Sequence, residues 1–160
     1  MYKLLVLFTI LFQQQPFMVK SVDFANNHYI PRKFTCEGMN YSPGLRFDNI
    51  PHGTKSIALI VDDPDSPNGE FVHWVMWNIP VSSKIAENGA PGIQGKNSMN
   101  ENRYYGPCPP NGIHTYQFKA YALNSTLQLS KESGKAELIK AMEGHVIAES
   151  SIKGLYRSKE

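Results

Sequence analysis

The chain has 160 residues, with sixteen Lys and Arg set against fourteen Asp and Glu for a formal net charge of +2. That length suffices for one domain with a proper core, and the apolar and aromatic content is ordinary for a globular chain. Neither sign of charge forms a long run, which excludes a nucleic-acid-binding stripe or a polybasic membrane patch.

The first residues depart from the globular texture. Lys3 precedes an apolar or near-apolar run from Leu4 to Phe12, followed by Gln13-Gln14-Gln15-Pro16. The run is far too short to cross a bilayer as a helix, and it has the texture of a signal-peptide core. Gln, Pro, Phe and Met, however, follow where a small-residue cleavage pattern would stand. Two readings stay open: residues 1–17 are a signal-like segment of a periplasmic or secreted protein, or Met18 is the true start of a cytoplasmic one. Either way the domain proper is expected over 18–160.

From Val22 to Arg46 the chain reads as short strands and turns. Asn26-Asn27 and Tyr41-Ser42-Pro43-Gly44 supply turn signals, and Leu45-Arg46-Phe47 is a brief strand. Cys36 falls in this region and the second cysteine is Cys108. Their spacing does not make a zinc site; they pair in an exported chain or stay as thiols in the cytoplasm.

Ile57-Ala58-Leu59-Ile60-Val61 is short, apolar and rich in β-branched residues, which predicts a core strand. Asp62-Asp63-Pro64-Asp65-Ser66-Pro67 follows. Both prolines fix φ and remove a backbone donor, so Asp63 and Asp65 are expected to project from a turn rather than sit in a central ladder. The chain returns with Phe71-Val72-His73-Trp74-Val75-Met76-Trp77-Asn78-Ile79-Pro80. A two-residue period puts Phe71, His73, Val75 and Trp77 on one face and Val72, Trp74 and Met76 on the other. Both faces are apolar, so burial on both sides is expected, and His73 needs a hydrogen-bond partner, for which the nearby carboxylates are candidates.

Residues 81–102 carry Gly, Pro, Ser and Asn without a lasting apolar period, a long loop of the kind that is more often functional than accidental. It leads into Tyr104-Tyr105-Gly106-Pro107-Cys108-Pro109-Pro110-Asn111-Gly112-Ile113-His114. Three prolines and two glycines make a rigid loop able to expose backbone N–H groups to an anion. The strand from Thr115 to Leu123 then alternates cleanly, with Tyr116, Phe118, Ala120 and Ala122 on one face. A single short helix is expected from an N-cap at Ser133 to Gly144, followed by a last strand ending near Tyr156.

The residues thus predict a mainly β, mostly antiparallel domain in which two proline-rich loops each adjoin a histidine. Asp63-Pro64-Asp65-Ser66-Pro67 with His73, and Gly106-Pro107-Cys108-Pro109-Pro110 with Gly112-Ile113-His114-Thr115-Tyr116, resemble the two signature segments of the phosphatidylethanolamine-binding protein family. The form of the second segment, Trp77-Asn78-Ile79-Pro80 and Gly144-His145 resemble its prokaryotic Raf-kinase-inhibitor-like branch. The resemblance covers about 22–156.

It implies an antiparallel β-sandwich with one or two short helices and a pocket for phosphate or a phosphorylated small molecule or lipid head group. Carried over, Asp63, Asp65 and Pro67 form one wall, His73 the floor, and Cys108, Pro109, Pro110, His114 and Tyr116 the rest; some members have glycine where Cys108 stands. No cofactor or metal is implied, and the role implied is that of a non-catalytic regulatory module or a kinase or protease inhibitor. A protein partner and a homodimer remain open. Carboxylates beside an anion are unfavourable unless the histidines screen them, and become useful if the ligand also carries an ammonium.

The alternative is a hydrolase. It would use Cys108 as nucleophile with His114 as base, or Asp63, Asp65, His73 and His114 around a divalent metal. The chain supplies no serine on a nucleophile elbow, and a cysteine between prolines has no evident oxyanion partner. His28 and His52 lie in turn-like segments and are expected to be solvated; His145 follows a helix-ending glycine, where it is placed to cap the helix, and has no clear chemical partner.

Overall fold

The computed structural model describes residues 15–82 and 84–158. The apolar run before Gln15, and with it most of the signal-like segment, lies outside the described residues. Two sheets face each other. The smaller joins β1 (Met18–Ser21), β3 (Leu45–Asp48) and β6 (Lys84–Ile85) in the order β1-β3-β6. The larger contains β2 (His28–Tyr29), β4 (Ser56–Asp63), β5 (Phe71–Ile79), β7 (Ile93–Gln94), β8 (His114–Leu123) and β9 (Val146–Tyr156), in the order β2-β9-β8-β4-β5-β7. Pairing is antiparallel except between β2 and β9. This is the mainly β, antiparallel sandwich that the sequence predicts.

The main core lies between the sheets. β1 and β3 contribute Val19, Leu45 and Phe47, while β4 and β8 contribute Ile57, Leu59, Val61, Tyr116 and Phe118. Phe17, just before β1, is also buried there and stacks on Phe47. A second core lies on the outer face of the large sheet, where Ala58, Ile60, Val75 and Trp77 meet Leu138 and Met142 of α1 (Lys135–Met142). Central strands apolar on both faces are what a sheet covered on both sides requires.

Four local expectations need correction. The strand predicted over 57–61 runs on to Asp63, which is buried and pairs with Phe71 in the ladder. Pro64 forces its predecessor into extended backbone, and that suits the last residue of a strand as well as a turn. The simple two-residue period of β5 also fails. Val61 pairs with Trp74 but Asp62 pairs with Val72, so His73 is an extra residue, a β-bulge. A second irregularity lies between the pairs Ile57 with Ile79 and Leu59 with Met76, beside Asn78 at φ +52°. As a result Trp74, Met76 and Ile79 enter the inner core, and Val75 and Trp77 the outer one.

The helix begins one residue later than the Ser133 cap would have it. Gly134 is the N-cap, and its N–H is accepted by Glu137 Oε2 at 2.9 Å. His145, expected to lack a partner, has its Nδ1 2.9 Å from the Asn124 side-chain oxygen.

Candidate functional site

The C-terminal end of β4, the start of β5 and the start of β8 lie at one end of the sandwich, as their antiparallel register requires. A cavity of about 160 Å³ opens there. Of the residues singled out in the sequence, Asp63, His73, Cys108, Pro109, Pro110, His114 and Tyr116 line it. Asp65 and Pro67 do not: both are exposed on the turn outside. Ser66, Phe71, Met99 and Tyr105 complete the walls.

His73 owes its place to the bulge, which turns its ring to the same side as Tyr116. The two rings meet edge to face at 5.1 Å, and the Phe71 ring lies 4.7 Å from the imidazole. The partner of His73 is not a carboxylate. Its Nδ1 lies 2.6 Å from the Tyr105 carbonyl oxygen, so this nitrogen donates, while the His73 carbonyl accepts the Tyr105 N–H at 3.0 Å. The two-point clamp leaves Nε2 as the ring's remaining polar atom. Burial holds the imidazole below its ordinary pKa, outweighing the Tyr105 carbonyl and the Asp63 carboxylate, which favour the charged ring.

His114 is fixed differently. Its Nδ1 donates to Asp63 Oδ2 at 2.7 Å, and both side chains are buried. The other Asp63 oxygen accepts the Asp65 N–H at 2.8 Å. Asp65 in turn accepts the Thr115 N–H at 2.8 Å. The acidic turn is therefore stapled to β8. Its carboxylates orient a histidine and hold backbone.

Tyr116 is almost wholly buried; the Cys108 backbone N–H lies near its oxygen, and its hydroxyl proton has no acceptor. Burial pushes this phenol well above its ordinary value, Asp63 adds to the shift, and the Cys108 backbone offsets part of it. A buried hydroxyl left unsatisfied costs about 1–3 kcal/mol, so such a group beside a cavity calls for an occupant or a function.

Cys108 is bonded to Cys36, with the two Cα atoms 5.5 Å apart. Of the two states left open by the sequence the structure has the paired one, and while the bridge is intact the sulfur that a hydrolase would use as a thiolate is not available for attack. Among the described residues no three His, Cys, Asp or Glu side chains gather as metal ligands. A larger depression of about 400 Å³, lined by Lys119, Tyr121, Glu149, Ser150 and Ser151, lies away from both histidine-bearing loops. Its Lys119 is committed to the buried Asp62 at 2.9 Å, and its Ser150 hydroxyl accepts the Val19 N–H.

Phe71 was not among the residues expected at the site; its position two residues before His73 on the same strand is the signal that could have found it. Tyr105 acts chiefly through its backbone and Met99 comes from the long loop; neither carries a residue-type signal for this site.

Comparisons with known proteins identify the family. Residues 20–157 match the family model described as phosphatidylethanolamine-binding protein. A UPF0098 protein of Pyrococcus horikoshii is 46% identical over 148 residues, covering 85% of this chain and 74% of that protein. A UPF0098 protein of Methanothermobacter thermautotrophicus is 42% identical over 147 residues, covering 87% and 97%. Among solved structures, a putative phosphatidylethanolamine-binding protein homologue from Chlamydia trachomatis superposes with a TM-score of 0.87 at 37% identity, covering 90% of this chain and 99% of that one. E. coli YbcL, described as a new member of the mammalian family, gives 0.83 at 29% identity, covering 91% and 100%. The chain belongs to the phosphatidylethanolamine-binding protein family.

Proposed function

We propose that the cavity binds a phosphoryl group, as free phosphate, a phosphorylated small molecule or a lipid head group, and that the protein is a non-catalytic regulatory or inhibitor module. The observation that carries this reading is the buried Tyr116 hydroxyl, whose proton has no acceptor, in a cavity walled by two imidazoles whose Nδ1 atoms are already engaged. Each ring then has only Nε2 to offer a ligand. A phosphoryl oxygen accepts from the tyrosine, and a phosphate hydroxyl donates to a neutral imidazole or its oxygen accepts from a charged one. An incoming anion favours the charged form of His73 that burial disfavours in the empty cavity.

The volume supports a head group rather than a whole lipid, since drug-sized ligands occupy roughly 300–1,000 Å³. Phe71, Tyr105 and Met99 give the mouth an apolar, aromatic character that suits an organic substituent on the phosphate. The Cys108 disulfide supports the reading without turnover.

The test is an NMR titration following the imidazole signals with phosphoethanolamine, inorganic phosphate and ethanolamine. Saturable shifts of both His73 and His114 with the two phosphorylated ligands, lost in His73→Ala and His114→Ala, are expected. No shift at millimolar phosphoethanolamine would show that the fold is present without the binding site.

A further inference from the structure

The disulfide sits at the wall of the cavity. Cys108, Pro109 and Pro110 form one stretch of the wall, and Cys108 is exposed while Cys36 is partly so. Pro107, Pro109 and Pro110 have no N–H, so this stretch has few backbone donors with which to fasten itself. Besides the bridge, the Gly106 N–H donates to the Asn40 side chain at 2.7 Å and the Pro107 carbonyl accepts the Cys36 N–H at 3.1 Å. The Pro109 carbonyl accepts the Ser158 hydroxyl. The first two of these contacts belong to the same 36–40 segment that the disulfide ties down, so loosening the bridge loosens its neighbours too.

The 36–40 segment has its own hold on the body of the protein. Phe34 is buried in the core and its carbonyl accepts the Tyr104 hydroxyl, while Glu37 accepts the Tyr156 hydroxyl at 2.5 Å. Cys36 thus lies on the side of the bridge anchored in the core, and Cys108 on a loop held at Tyr105 by the His73 clamp, at Pro109 by Ser158 and at its own backbone by Tyr116. The Cys108 end carries part of the cavity wall.

We propose that the Cys36–Cys108 disulfide is a redox lock on the cavity: the oxidised chain holds the 106–113 loop in its binding geometry, and reduction by a dithiol releases it. This rests on the reading of the cavity as a phosphoryl site. A thiolate of the dithiol attacks the exposed Cys108 sulfur, the S–S bond breaks, and Cys36 leaves as a thiolate and takes up a proton. The second thiol then attacks the mixed disulfide, freeing Cys108 as a thiol and leaving the dithiol oxidised, a transfer of two electrons and two protons. Because linkage is reciprocal, a phosphorylated ligand resists the reduction by the same factor by which reduction weakens the ligand.

The experiment compares the oxidised chain, the chain reduced with dithiothreitol, and Cys36→Ser/Cys108→Ser. If the released loop is binding-competent about a tenth of the time, phosphoethanolamine binds about tenfold more weakly to both reduced forms. Saturating phosphoethanolamine then makes the disulfide harder to reduce by about 30 mV, the same tenfold expressed as a potential. Amide exchange should quicken in 106–113 and 36–40 alone. Equal affinities and equal loop exchange in the oxidised and reduced chains would overturn the lock. So would a loss of protection throughout the chain, which would make the bridge a staple of the whole fold. Should phosphoethanolamine fail to bind even the oxidised chain, the phosphoryl reading falls, and confined or unchanged loop exchange still decides whether the bridge governs the loop.

Discussion

Replacing Asp63 with asparagine tests the site at its most constrained point. The carboxylate faces two donors, His114 Nδ1–H at 2.7 Å and the Asp65 N–H at 2.8 Å. Asparagine has a single acceptor oxygen. If that oxygen keeps the Asp65 N–H, the amide nitrogen faces His114, and the two can pair only if the imidazole proton moves to Nε2. A hydrogen bond to a charged group contributes about 1.5–3 kcal/mol and a neutral replacement about 1 kcal/mol, so Asp63→Asn should lose about 1–2 kcal/mol. At about 2–4 °C per kcal/mol for a chain of this size, the melting temperature should fall by about 2–8 °C. Urea unfolding measures the first quantity, and long-range ¹H–¹⁵N spectra of the imidazole read the tautomer directly. His114 keeping its proton on Nδ1, together with a loss under about 0.5 kcal/mol, would refute the assignment of Asp63 as the group that orients this histidine.

Three further outcomes follow from the same geometry. His73 is held below the value of an unfolded histidine, so the unfolded chain binds its proton first as pH falls. Stability contributed by neutral His73 should therefore be complete above about pH 7 and decline as pH drops through the unfolded value of about 6.5. In urea titrations His73→Gln should show a flatter profile there, and an identical slope would show that another group is responsible. Asn78→Ala should cost about 2–4 kcal/mol: its side chain pairs with both the N–H and the carbonyl of Leu127, and its φ of +52° disfavours a β-carbon without such support. An effect below about 0.5 kcal/mol would mean the clamp is not formed in solution. A methyl group at Gly95 would stand 2.4 Å from the Ser133 carbonyl oxygen and 2.5 Å from Trp77 Cζ3, so Gly95→Ala should lower stability by about 1–3 kcal/mol, and a melting point unchanged from the parent would contradict that packing.

The sequence carried most of the architecture because long strands leave a periodic trace. β8 alternates without interruption from His114 to Ala122, and the position of each side chain could be read from its neighbour. β5 misled for a definite reason. A bulge adds a residue without changing composition, so counting by twos placed His73 with Trp77, whereas pairing across the ladder turns it toward Tyr116. The two histidine-bearing loops were visible as motifs, but the roles inside them were not. Asp65 and Asp63 look alike in the sequence; one is a staple at the surface and the other the buried partner of His114. Tyr105 acts through a carbonyl, which every residue has. The pairing of Cys36 with Cys108 spans 72 residues of sequence and depends on two loops meeting, something no local pattern encodes.

The bulge at His73 has a consequence for how such a protein can change. Deleting one residue at that point would restore the regular ladder with β4 and leave Trp74, Met76 and the strands beyond it in place, while depriving the cavity of its second imidazole. The scaffold and the cavity wall are thus written into the same strand but separated by a single inserted residue. A descendant could lose that imidazole while keeping its fold, and sequence similarity spread along the chain would hardly record the loss.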